Sequence, residues 1–163
     1  MLFYSKSMIM NRFLPAAVLL LFCLSCKETI PAPSKLDLLT EKKWKWIAGS
    51  ISPAYDIFGI GVLVSDDYFT RVPECWRDDL WIFSSDSKFT HDEGPSKCNI
   101  ADPQSYIKGI WKFETDESTI KITKDGSGEV IWSIKELTAN SLKIAETFKD
   151  DGKTYTFQYS FSH

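Results

Sequence analysis

Residues 154–161 read Thr-Tyr-Thr-Phe-Gln-Tyr-Ser-Phe, and this stretch decides the fold. Successive side chains of an extended chain point to opposite faces, so Tyr155, Phe157, Tyr159 and Phe161 share one side and Thr154, Thr156, Gln158 and Ser160 the other. Four aromatic residues on one face require a dry surface to lie against. The segment is therefore a strand with one buried face and one wet face.

The same alternation recurs towards the N-terminus. Val130, Trp132 and Ile134 alternate within 130–137; Ile107, Gly109, Trp111 and Phe113 share a face within 107–114, against Lys108, Lys112 and Glu114. Trp44 and Trp46 oppose Lys43 and Lys45 at the first strand. Further strands are expected at 119–123 and 142–148, and residues 80–83 and 88–91 form a hairpin across Ser85, Asp86 and Ser87. Alternation leaves open whether Leu80 or Trp81 points inward. Residues 50–74 carry Pro53, Gly59, Gly61 and Pro73 around an apolar segment from Ile57 to Val64, and fit one strand, two strands or a long excursion across a barrel mouth. Ser34 N-caps a short helix carrying Leu36, Leu38, Leu39 and Lys42.

About eight strands joined mostly by short turns form a meander, and a meander of that length removes its exposed edges by closing. The expected fold is all-β: an antiparallel up-and-down barrel with a short N-terminal helix. A two-sheet β-sandwich is the alternative, since strand spacing does not separate the two.

The ends of the chain carry different information. Residues 1–25 hold Lys6 and Arg12 with no acid, then an apolar run from Phe13 to Leu24 broken only by Pro15, the pattern of a secretion signal. Phe22-Cys23-Leu24-Ser25-Cys26 resembles the lipobox of bacterial lipoproteins, which implies lipidation of Cys26 as the mature N-terminus. Lys27 and Glu28 look like the charged tag that sends some lipoproteins to the cell surface. An ordinary signal cleaved nearby is the alternative, leaving Cys26 as an odd thiol. Residues 26–34, with Pro31 and Pro33, read as a tether, and residues 35–163 as the barrel domain.

Composition excludes several classes of function. The net charge of −3 and the lack of a basic cluster argue against a nucleic-acid partner. Cys75 and Cys98, the two cysteines within the exported domain, pair in one way, and closing that loop contributes about 3 kcal/mol in the chain-entropy model. A Cys/His metal site using His91 lacks a fourth ligand at a usual spacing. Asp66, Asp67, Asp78, Asp79, Asp92 and Glu93 form no calcium loop; Asp78 and Asp79 are expected to pair with Arg77 or cap the corner. Neither His91 nor His163 stands near a nucleophile motif, so no metal, cofactor or catalytic residue is expected and the chain is not read as an enzyme.

Several spaced motifs carry a family resemblance. They are Leu39-Thr40 with Lys42 and Trp44; Cys75 with Asp78, Asp79 and Phe83; Asp92 to Cys98; Gly109 with Trp111 and Phe113; and Glu136 to Leu142. Together they resemble the bacterial lipocalin-like lipoproteins. The resemblance covers nearly all of the mature chain, and implies a calycin-type barrel with a lipid anchor and the capacity to hold a small apolar molecule.

Eight-stranded barrels are wide enough either to be filled by their own side chains or to hold one small ligand. The candidate ligand-binding residues are Trp44, Trp46, Trp111, Phe113, Trp132, Tyr155, Phe157 and Tyr159; their bulk suits a filled core equally well. The expected function is that of an envelope binding protein, anchored in the bacterial outer membrane through its N-terminal lipid and holding a small lipophilic molecule. The alternative is a structural or interaction lipoprotein with a solid core, which meets an envelope protein through residues 50–74.

Overall fold

The structure, a computed structural model, describes residues 31–163 apart from 115 and 127. The expected secretion signal, Cys26 and most of the expected tether lie outside the described residues. The short helix α1 (Lys35–Thr40) begins at a capping box: Ser34 Oγ accepts from Asp37 N at 3.1 Å, and Asp37 Oδ2 accepts from Ser34 N at 3.0 Å. Eight strands follow: β1 (Trp44–Ser52), β2 (Leu80–Phe83), β3 (Lys88–Asp92), β4 (Ser105–Phe113), β5 (Thr119–Lys124), β6 (Gly128–Leu137), β7 (Leu142–Asp150) and β8 (Lys153–Ser162). Each pairs antiparallel with the next and β8 returns to β1, so the sheet closes as an eight-stranded up-and-down barrel. Closure sets aside the sandwich alternative.

Residues 53–79 hold no strand of this sheet. They form an excursion containing a bridge between Tyr55 and Val64, a 3₁₀ turn (Tyr68–Arg71) and the one-turn helix α2 (Glu74–Arg77). Their apolar residues are used across the barrel: Val64, Tyr68 and Val72 are buried in the common core.

Strand direction fixes the two ends of the barrel. At one end lie α1, the tight turns between β2 and β3, β4 and β5, and β6 and β7, and the C-terminus. Here the Trp44 indole donates to the Leu39 carbonyl at 2.9 Å, Leu39 is fully buried, and Lys35 Nζ donates to the Glu117 carbonyl at 2.8 Å. The helix thus docks through Leu39, while Leu36 stays exposed. At the other end, the mouth, lie the 53–79 excursion and the connection 93–104 between β3 and β4.

A bulge in β1 explains how its inward face continues. Trp44 and Trp46 point inward, the pairing with β8 slips between Trp46 and Ala48, and thereafter Gly49 and Ile51 oppose the inward residues Tyr159 and Phe157. Gly49 is required there: an added Cβ would lie 2.7 Å from Tyr68 Cε1 and 2.9 Å from Trp46 Cζ2. β8 supplies the expected aromatic face, with Phe157, Tyr159 and Phe161 stacked in sequence and Phe148 of β7 stacked on Tyr155 and Phe157.

Candidate functional site

Below the mouth the barrel is filled. Trp81 points inward, stacked on Trp132 at 4.6 Å and touching Phe161, while Phe83 packs edge-on against Trp111. The buried indoles find partners within the fold: Trp111 donates to the Ser84 carbonyl at 3.0 Å and Trp132 to Glu146 Oε2 at 3.0 Å. Bulky rings from facing strands pack against one another in this half.

At the mouth the side chains part around a cavity of about 550 Å³. Its floor is built by strand residues: Trp46 on β1, Trp81 on β2, His91 on β3, Tyr106 on β4 and Tyr159 on β8. One bank is the excursion, through Ile57, Phe58, Tyr68, Val72 and Trp76; the other is the 93–104 connection, through Glu93, Asp102 and Pro103. The Cys75–Cys98 disulfide, with Cα atoms 5.2 Å apart, joins the two banks. The second bank is held from below as well. Burial alone would raise the Asp92 carboxyl, but donors from Gln104 Nε2 at 2.9 Å, Gly94 N at 3.0 Å and Ser105 Oγ at 3.3 Å hold it below its ordinary value.

A polar cluster stands against this aromatic surface. Asp79, only 2% exposed, accepts from the Tyr106 hydroxyl at 2.7 Å through Oδ2, while its Oδ1 has no hydrogen-bond partner among the described residues. Asp79 was expected to pair locally with Arg77 or to cap the corner; instead Arg77 meets Glu74 at 3.8 Å, and Asp78 alone caps the corner by accepting from Ser96 N at 3.0 Å. His91 Nε2 lies 3.2 Å from Asp79 Oδ2, 2.8 Å from the Tyr106 hydroxyl and 2.8 Å from Trp81 Nε1. An indole N–H only donates, so Nε2 must offer it a lone pair and cannot also give a proton to Asp79. The His91 contact is therefore not an ion pair in this arrangement. Burying a carboxylate without a cation or full hydrogen bonding costs several kcal/mol.

Tyr106 reaches this cluster because of a second bulge. The pairing of β3 with β4 slips between His91 and Asp92, leaving Tyr106 outside the regular register. Its phenol is pushed up by burial and by the bond to Asp79. Tyr68 and Tyr159 are likewise raised, chiefly by burial.

Of the eight ligand-binding candidates, Trp46 and Tyr159 line the mouth cavity. Trp44, Trp111, Phe113 and Trp132 sit in the filled half, and Phe157 packs between Tyr68 and Phe148. Tyr155 packs against Tyr55 and Phe148, away from the cavity lining. The sequence did not single out Trp81, Tyr68, Asp79 or Tyr106 for the site. Among the described residues, no group of three or more His, Cys, Asp or Glu side chains could hold a metal ion.

No protein-family model matches the chain. No curated protein matches it. Among solved structures, it is similar to a complex of bovine odorant binding protein with a selenium-containing odorant, at 13% identity over 81% of this chain and 74% of that one, with a TM-score of 0.39.

Proposed function

We propose that the protein is a binding module of the cell envelope that holds a small, largely apolar molecule in the mouth of its barrel and performs no catalysis on it. The observation that carries this reading is the cavity itself. Its volume of about 550 Å³ lies within the range of small-molecule sites, and its wall combines aromatic surface with a few polar groups at one place. The filled half beneath supplies a rigid floor, and the Cys75–Cys98 bridge ties the banks together. The lipobox-like sequence ending at Cys26 supports attachment to the bacterial outer membrane, so the binding site would stand near a lipid surface. Native mass spectrometry of protein purified from its own host tests the reading. A recurrent bound mass lost on organic extraction supports it; repeated preparations without bound mass, combined with no change in tryptophan fluorescence across a panel of lipophilic probes, overturn it.

One observation favours a second reading, in which the excursion meets another envelope protein. Its tip exposes Phe58, Ile60, Val62 and Leu63, with Ile60 70% and Leu63 68% accessible. Replacing Ile60 and Leu63 by serine should then abolish co-purification of a partner without changing ligand content. Unchanged co-purification removes this reading.

A further inference from the structure

We propose that the ligand of the mouth cavity is an organic amine, its protonated head received by Asp79 and its apolar body lying among the aromatic rings. This rests on the reading of the cavity as a binding site and specifies what it takes. The lining contains three acids, Asp79, Glu93 and Asp102, and neither lysine nor arginine. Among the described residues, Asp79 and Glu93 are the polar side chains that the fold buries, at 2% and 6% exposure, and both face this one cavity.

The protein leaves these acids short of partners. Among the described residues Asp79 Oδ1 has none, and Oδ2 takes the Tyr106 hydroxyl. The nearest basic group, His91, spends its Nε2 lone pair on the Trp81 indole and gives Asp79 no proton. Among the described residues Glu93 Oε2 accepts one long bond, 3.4 Å, from Cys98 N. A protonated amine supplies what is missing: a positive charge and several N–H donors to a carboxylate already out of water. The surrounding rings favour the same charge, because the faces of Trp and Tyr attract cations. An anionic lipophile, such as a fatty acid, would instead bring its carboxylate against Asp79 and Glu93 with no cation beside them.

Octylamine, octanol and octanoate share a chain and differ in the head, so titrating each into the purified protein by calorimetry, at neutral pH, tests the proposal. Octylamine should bind at least about tenfold more tightly than octanol, and octanoate most weakly. Asp79→Asn should remove the preference of octylamine over octanol, and Glu93→Gln should reduce it in the same direction. The wild-type comparison stands alone should Asp79→Asn fail to fold. Equal or tighter binding of octanol or octanoate overturns the amine assignment and leaves the cavity as a binding site for another class. Failure of all three probes to bind overturns both.

Discussion

Trp81 Nε1–H donates to His91 Nε2 at 2.8 Å, across directly paired positions of β2 and β3. This bond places the imidazole proton on Nδ1 and keeps the ring from serving as a counter-charge to Asp79. Ring-nitrogen NMR should therefore show His91 in the Nδ1–H tautomer in the wild type. Trp81→Phe keeps an aromatic ring beside Trp132 but removes the donor, and should release Nε2 to take a proton towards Asp79. The lost bond and the smaller ring together should cost about 1–3 kcal/mol in urea unfolding. An Nε2–H tautomer in the wild type would contradict the assignment.

Gly49 sets the depth of the cavity by letting the Tyr68 ring lie across β1. A Cβ at position 49 would stand 2.7 Å from Tyr68 Cε1, closer than real contacts allow, so Gly49→Val must push Tyr68 outward or into the cavity. Overpacking of this kind costs about 1–3 kcal/mol. The expected outcome is a folded barrel of lowered urea midpoint whose affinity for lipophilic probes changes. Unchanged stability and probe binding would show that Tyr68 does not bound the site.

The barrel was legible from the sequence because several strands have one dry and one wet face, and period two is plain in β4 and β8. The site was less legible for physical reasons. Asp79, His91 and Tyr106 come from three elements, and Tyr106 joins them through a register slip opposite His91 that no alternation announces. Alternation does not decide which way Trp81 faces, because β2 is only four residues long and apolar on both sides. The aromatic residues that were visible, Trp111 and Trp132 among them, turned out to fill the closed half, since a run of large inward side chains signals burial without telling core from cavity wall. Acids in the Cys75–Cys98 stretch resembled ordinary solvated turn residues, yet Asp79 and Glu93 are buried.

The disulfide joins the banks of the mouth rather than two strands of the barrel. Its removal should therefore act locally on binding as well as globally on stability. Cys75→Ser with Cys98→Ser should lower the unfolding free energy by about 3 kcal/mol, from the unfolded-chain entropy of a loop with a sequence separation of 23. The strands should keep their hydrogen-exchange protection while amides in 53–79 and 93–104 exchange faster. Uniform loss of protection around the barrel would mean that the bridge supports the sheet itself.

Alkaline pH tests the buried phenols. Tyr68, Tyr106 and Tyr159 each hold their proton above the ordinary value of 10.0; burial is the leading cause, and the bond to Asp79 adds to it at Tyr106. Above that value the unfolded chain loses these protons while the folded protein keeps them, so the folded state binds more protons and the stability difference is negative with rising pH. Their contribution is fully present below pH 10.0 and is lost as the pH climbs beyond it. Urea midpoints should fall across this range, with the tyrosinate absorbance of these residues appearing together with unfolding rather than before it. Tyr106→Phe should flatten the decline, because one of the three phenols no longer ionises in the unfolded chain. Full tyrosinate absorbance near the ordinary value in a still-folded protein would show that the mouth admits solvent to these rings.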